Sequence, residues 1–539
     1  MYRVRLITAR VLTVVAAGMF VAWLLPALGG REPELSHNVH LGHWTNFRLV
    51  AWLLLGAAVI HPAQSIWRER LERLIRGRGQ WLFPLALAGI AVWAKVSQHL
   101  AFGTGAYDLS MYHSAIRHAW SDGPAFMWAF GLERNFLSEH FSPVLLAFVP
   151  LDIVFRSPLA MLVSEGLIFG LGAFTLAGLA RALGVRPLLA QVAAITYATN
   201  VVCWRALSFD FHPEAMIPAG VFAVAWAMKE KRLGWLTVSL LATLSIKEDV
   251  AIILIPVVVI VGLDDRRSWR WPLFVSLISA GWLIVAIKVA LPLASPPGTE
   301  WGMFAARYGE WGPNPGSALV SMLGRPLAVL QALTSAPVCH QLGELAWAPL
   351  LDPVSLIASG PAVLEQTLSN SVAQQDLELY YGIGPVTVWL LSLLRVTRWV
   401  ERWLGLTAAL LVVAAPLAWH PRPPILTAVS SDDLEDDRLL GATIPPGARV
   451  LAQSAVIPHL PISPAIDLFP GTALEFVALR PSAFPWPLSD QEYSSRVLLL
   501  LEDEGLGVVV VRPGLVLLRR GAPRGDVERV KALLLQEKP

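Results

Sequence analysis

Apolar runs that approach the length of a bilayer crossing recur through most of this 539-residue chain, and short arginine-rich loops separate alternate ones. A helix needs about 20 mainly apolar residues to cross the hydrocarbon core. Runs at 11–28, 47–62, 81–98, 157–180, 188–204, 214–228, 235–247, 250–263, 272–291, 383–395 and 403–419 meet or approach that length, which predicts about eleven spans with soft ends. Several are shorter than about 17 residues, so two pairs also read as helical hairpins. Only 15% of residues are charged and 55% are hydrophobic, whereas soluble domains carry about 25% charge. The expected fold is therefore mainly α, a polytopic helical membrane bundle.

The basic residues set its orientation. Arg68, Arg70, Arg73, Arg76 and Arg78 share one loop. Arg181 with Arg186, Lys229, Lys231 and Arg232, then Arg266, Arg267 and Arg270, and finally Arg395, Arg398 and Arg402 fill alternate later loops. By the positive-inside rule these loops are cytoplasmic. That leaves 29–46, 99–156, 292–382 and the tail from about 420 outside. Arg3, Arg5 and Arg10 precede the first run and place the N-terminus in the cytoplasm. A signal peptide cut near Ala27 and Gly29 is the alternative, but the run exceeds the usual ~7–15 residues, so an uncleaved anchor is expected. The run 141–155 carries Pro143 and Pro150, and as a full span it would invert every later loop; it reads as a helix at the outer surface, as does 345–357. Trp301 and Trp311, in a Gly- and Pro-rich stretch, fit the interfacial aromatic belt.

A net charge of +2 excludes nucleic acid as an obvious partner and leaves membrane lipids. Cys203 and Cys339 cannot build a disulfide framework, and free thiols are expected with one isolated bridge as the alternative. After the proline-rich stretch 416–424 the composition changes. Strands are predicted at 450–453, 508–511 and 515–519, with a turn at Arg512-Pro513-Gly514 and a helix over 527–536. The layout is thus a transmembrane domain over 1–419 and a small extracytoplasmic α/β domain over 420–539, whose simplest role is a cap or interaction module.

Three ionisable clusters interrupt the apolar runs: Asp108 with His140; Asp210, His212 and Glu214; and Lys247, Glu248 and Asp249. A charge at the bilayer centre costs roughly 2.5–3.5 kcal/mol even on the lenient insertion scale, so each needs a reason. The loop pattern sends all three to the outer side, which points to a polar cavity. Each also has a simpler structural explanation. Asp108 could cap a helix beginning near Leu109. Asp210, His212 and Glu214 alternate, so an extended segment would aim them one way, and Pro213 suits the first turn of a helix capped near His212; together they could be a polar plug between helix ends. Lys247 could snorkel while pairing with Glu248 or Asp249. His37, His40 and His43 in the first outer loop have ligand-like spacing but read as surface.

The ordered motifs Tyr107-Asp108-Leu109, Glu139-His140-Phe141-Ser142-Pro143, Phe209-Asp210-Phe211-His212-Pro213-Glu214 and Lys247-Glu248-Asp249 resemble the bacterial and archaeal membrane family known as domain of unknown function 2079. Ala452-Gln453-Ser454 and Pro458-His459-Leu460 look like that family's outer C-terminal region. The layout is similar to GT-C glycosyltransferases, in which an acidic residue of the first large outer loop works beside a lipid-phosphate sugar. The resemblance implies a multi-pass protein of the inner (cytoplasmic) membrane that moves a sugar from a polyprenyl phosphate to an unidentified acceptor. Asp108 takes the place of the base, with His140 or His212 relaying the proton and Asp210 and Glu214 completing the acidic set. Lys247, with Arg205, would steady the departing phosphate, beside Glu248, Asp249 and Tyr107. Tyr380 and Tyr381 are the nearest equivalents of an aromatic stretch expected over 365–385. No cofactor is implied; a divalent cation on Asp210, His212 and Glu214 is the alternative. A transporter or lipid flippase with a polar cavity, or a membrane scaffold with an outer binding domain, are the competing classes.

Overall fold

The computed structural model describes residues 79–121, 136–264, 268–296, 298, 302–377, 379–419, 427–462, 465–471 and 475–535. The expected spans at 11–28 and 47–62, the loop with His37, His40 and His43, the arginines at 68–78, Arg266, Arg267 and Trp301 lie outside them. The chain is mainly helical with one small sheet near the C-terminus. It forms two units: Met1–Val92, Ser138–Val144 and Ser164–Ile425 make one, and Trp93–Leu137, Leu145–Val163 and Leu426–Pro539 the other.

Fewer helices qualify as spans than the eleven expected. Among the described residues, Gln80–Leu100, Leu159–Ala182 and Arg270–Ala294 are long and apolar enough to cross a membrane. The number rises to five if each of two bent pairs is one span. Pro187–Thr199 and Val201–Ser208 meet at 49°, because Asn200 starts a new helix there: its Oδ1 accepts from the N–H groups of Val202 at 3.0 Å and Cys203 at 3.3 Å. The runs expected at 235–247 and 250–263 are helices of 12 and 14 residues, Leu233–Leu244 and Val250–Leu263, parted by the charged break at 245–249. The 141–155 run is a 3₁₀ turn, Pro143–Phe148, followed by the seven-residue helix Val149–Phe155, too short for a crossing.

The segment 292–382 packs against the helices on either side of it in the first unit. Asp352 accepts from Arg395 Nε at 2.8 Å, and Arg395 also donates to Asp264 at 2.9 Å, as does Arg398 at 3.2 Å. Asp264 ends the helix Val250–Leu263, and Asp249 begins it. At 1.5 Å per residue those two ends lie about 21 Å apart. From Asp352 the helices Pro353–Ala358 and Gly360–Thr367 run back along Val250–Leu263, which brings Glu365 beside Asp249. The segment therefore reaches both ends of the helix Val250–Leu263. Composition concealed this because the returning helices turn small polar residues toward protein: Ser355 is buried against Asp352 and Ser359 accepts from Trp389 Nε1 at 2.9 Å. Arg395 and Arg398 likewise stand on the helix Ile383–Leu404 rather than in a loop.

In the second unit, β1 (Val450–Ala452), β2 (Ile466–Leu468), β3 (Phe476–Leu479), β4 (Leu506–Val511) and β5 (Val516–Arg520) form a sheet of order β2-β1-β3-β5-β4. β1 is parallel to β2 and β3, while β5 is antiparallel to β3 and β4. Period-two alternation fills both faces. Val450, Ala452, Phe476, Ala478 and Leu517 pack with Leu440 and Ile444 of the helix Ser431–Thr443, and with Phe102 and Ala106. Leu451, Val477, Leu479, Val516 and Leu518 pack with Tyr493, Val497 and Val530 of the helices Asp490–Glu502 and Val527–Leu534. β2, β3 and two of these helices were not anticipated, although Ser430 with Asp433 and Ser489 with Glu492 are capping boxes legible in the chain.

Asp433 ties the first of those boxes to the sheet through Arg480. Burial pushes its carboxyl up, but the Ser430 hydroxyl and N–H and the Arg480 guanidinium outweigh that and hold it below the usual range. A depressed folded value means the stabilisation is complete above the ordinary value of 3.8 and is lost as pH falls through the folded one. Asp433→Ala is expected to cost about 1–2 kcal/mol. The check is faster amide exchange across 431–443 in the full chain, and a weaker acid dependence of that exchange than in wild type.

Candidate functional site

The site grows out of three chain breaks in the first unit. Leu233–Leu244 ends at a turn that carries Lys247, Glu248 and Asp249 into Val250–Leu263. Val201–Ser208 ends before Asp210, and Pro213 opens the 3₁₀ turn Pro213–Met216, with His212 at its N-cap. The strand-like alternation expected through Glu214 therefore stops at His212, and the turn aims Glu214 instead. The third break precedes Val144, whose N–H donates to Ser245 O at 2.8 Å and holds 138–144 against the first.

These breaks bring the charges together. Lys247 Nζ lies 3.1 Å from Glu214 Oε1 and 3.1 Å from Asp249 Oδ2. Glu248 accepts from the Phe141 N–H at 2.8 Å and stands 3.1 Å from His140 Nδ1. Glu214 Oε2 is 3.5 Å from His212 Nδ1, and the His212 N–H donates to Glu165 at 3.1 Å. The His212 ring stacks on Tyr380 with centroids 3.8 Å apart. Tyr380 donates to the Tyr381 hydroxyl at 3.1 Å, and Arg307 donates to that hydroxyl at 3.3 Å and to Gln374 at 2.7 Å. Glu365 reaches the network through Asp249.

Of the sequence candidates, His140, His212, Glu214, Lys247, Glu248, Asp249, Tyr380 and Tyr381 meet here. Asp210 is buried in the same segment, with its Oδ1 accepting from the Phe211 N–H at 2.9 Å. Arg205 sits half-buried on Val201–Ser208 and joins the network through no hydrogen bond or ion pair among the described residues. No group of three or more His, Cys, Asp or Glu among the described residues is placed to hold a metal, so Asp210, His212 and Glu214 do not converge as a triad. Glu165, Arg307 and Glu365 were missed. Glu165 had a legible signal, a carboxylate within an apolar run; Glu365 and Arg307 had none, since they lie in a mixed segment.

Asp108 and Tyr107 belong to the second unit. They occupy a π turn, Ala106–Ser110. The Ala106 N–H donates to Ser454 Oγ at 3.1 Å, Tyr107 meets Trp486 edge-on at 4.5 Å, and Asp108 is half-buried. His459 stacks on His99 and Phe102, and Arg480 lies over the Phe102 ring at 4.1 Å. The motifs around 107, 454 and 459 thus pack as one structural group.

The motif residues all fall within residues 98–481, which match the family model described as "Predicted membrane protein (DUF2079)". The chain belongs to the DUF2079 family. No curated protein matches this DUF2079 protein. Among solved structures it is similar to ArnT from Cupriavidus metallidurans bound to undecaprenyl phosphate, at 12% identity and a TM-score of 0.43, covering 82% of this chain and 98% of that one.

Glu248 is the clamp on 138–144, so Glu248→Ala should release it. Hydrogen bonds to a charged group are worth about 1.5–3 kcal/mol, which corresponds to at least about tenfold faster amide exchange over 138–144. Exchange over 450–479 should not change, and a uniform rise in both would contradict this role.

Proposed function

We propose that this protein is a membrane glycosyltransferase that moves a sugar from a polyprenyl-phosphate donor to an acceptor on the extracytoplasmic face of the inner membrane, with its N-terminus cytoplasmic and its C-terminal domain extracytoplasmic. The observation that carries the reading is Lys247, a cation lodged between Glu214 and Asp249 at the junction of two apolar helices. A donor phosphate can exchange for one carboxylate there and keep the ammonium paired throughout, which spares the cost of a bare buried charge. Beside it, the His140–Glu248 pair has the composition of a proton-accepting dyad: the carboxylate orients the ring and steadies it when protonated. His212 and Tyr380 offer a stacked aromatic surface suited to a sugar face. Asp108 is a candidate base by its sequence position alone, and Asp108→Asn decides its role by the presence or absence of transfer. The acceptor is the unspecified partner.

A transporter is the second reading, favoured by the charged break between two short helices, a form that discontinuous helices take in transporters. Native mass spectrometry of the gently purified protein separates the two. A retained polyprenyl-phosphate sugar that is lost in Lys247→Ala supports the transferase. Absence of such a lipid from both proteins, together with substrate flux in proteoliposomes, would replace it with transport.

A further inference from the structure

The basic side chains of this network are not balanced alike. Lys247 pairs with Glu214 and Asp249, His140 with Glu248, and His212 lies 3.5 Å from Glu214. Arg307 pairs with no carboxylate among the described residues. Its Nη1 donates instead to two neutral oxygens, Gln374 Oε1 at 2.7 Å and the Tyr381 hydroxyl at 3.3 Å. The surroundings hold it in that position. Gln374 is buried, and its Nε2 donates to the Tyr308 hydroxyl at 3.1 Å and to the Glu365 carbonyl at 3.3 Å, so a flip of the amide would break both bonds and turn N–H groups toward the guanidinium. The Arg307 carbonyl accepts from the Asn370 N–H at 2.6 Å, and the Tyr308 hydroxyl donates to the Glu365 carbonyl at 2.6 Å, which fixes the end of the helix Gly302–Tyr308.

An arginine held by neutral groups keeps its whole charge for another anion. Only Nη1 of the Arg307 guanidinium is engaged among the described residues, which leaves the Nε–Nη2 edge, the geometry that binds two oxygens of one group side by side. The Tyr381 hydroxyl accepts from both Tyr380 and Arg307, so its own hydrogen is left to donate elsewhere. We propose that Arg307 and the Tyr381 hydroxyl form an oxyanion subsite for the carboxylate of an acidic sugar, apart from the phosphate position at Lys247. The sugar rests on the glycosyltransferase reading, whose substrate class it names; the oxyanion subsite does not. The contacts run in order from Lys247 through Glu214, His212, Tyr380 and Tyr381 to Arg307, so the stacked His212–Tyr380 surface stands between the two cations in that series. A sugar on that surface with its phosphate at Lys247 turns its other end to Arg307. A single positive charge among neutral partners matches a carboxylate, which brings one negative charge and two oxygens, better than a phosphate monoester of about −1.5 to −2.

Saturation-transfer NMR of the full-length protein in lipid nanodiscs tests the subsite, with sodium glucuronate as the probe and glucose as its neutral counterpart. Wild type is expected to bind glucuronate at least about tenfold more tightly than glucose, the scale of a hydrogen bond to a charged group. Arg307→Gln should remove that preference, and Arg307→Lys, which keeps the charge but not the two-nitrogen edge, should restore only part of it. Tyr381→Phe, which keeps the ring against Tyr380, should weaken glucuronate and leave glucose unchanged, and it carries the test if Arg307→Gln does not fold. Equal binding of the two sugars by wild type, or a preference unaltered in Arg307→Gln and Tyr381→Phe, overturns the proposal. Acetate should displace glucuronate; displacement by inorganic phosphate but not by acetate would assign Arg307 to phosphate and overturn the carboxylate. Native mass spectrometry with added polyprenyl phosphate separates this subsite from the reading it extends. Arg307→Gln should keep the lipid that Lys247→Ala loses, and loss of the lipid in Arg307→Gln would move Arg307 to the donor phosphate and overturn a separate subsite. A glucuronate preference that depends on Arg307, with no lipid bound by any variant, would remove the transferase reading and leave the oxyanion subsite standing.

Discussion

An ammonium group held between two carboxylates where apolar helices end is the interaction on which the rest of the first unit depends. Lys247 cannot be left bare there, because breaking a buried pair costs about 3–5 kcal/mol. Glu214 and Asp249 meet it at 3.1 Å each, and each is delivered by a separate interruption of the helical backbone. The 3₁₀ turn at Pro213–Met216 supplies one and the turn before Val250–Leu263 supplies the other. The chain pays for this arrangement in helix length, which is why runs that look like spans are only 12 and 14 residues long.

The same logic operates about 21 Å away. Asp264 and Asp352 share Arg395, so the helix Val250–Leu263 is pinned by charge at both ends. The returning helices Pro353–Ala358 and Gly360–Thr367 connect those ends and place Glu365 at the Lys247 end. One charged device per end explains how a bundle of short helices keeps register where apolar packing alone is non-directional. The second unit relies on different physics, two apolar faces of one sheet closed by helices.

Much of the site was legible because charges within apolar stretches are conspicuous. Lys247, Glu248, Asp249, Glu214, His140 and His212 stood out on that ground alone, and the structure joins them. Tyr380 and Tyr381 were found through family likeness, not through any periodicity. Glu365 and Asp352 were hidden in a segment whose Ser, Gln, Gly and Pro content matches an aqueous loop, since helices facing protein need not be apolar. Span number was overestimated because hydropathy reports apolar character but not where the backbone breaks; Asn200 and the break at 245–249 are capped or charged interruptions inside apolar stretches. Strands β1, β4 and β5 were visible from Val and Leu runs, whereas β2 and β3 are three and four residues long, too short to register as a pattern.

The central claim is that Lys247 and Glu214 are energetically one unit. A double-mutant cycle on the full-length protein, reading unfolding free energy for Lys247→Met, Glu214→Gln and the pair, measures it most directly. The account predicts that the combined variant is more stable than the sum of the single losses implies, by at least about 1 kcal/mol, because the second change removes the charge stranded by the first. Additivity within about 0.5 kcal/mol would contradict it.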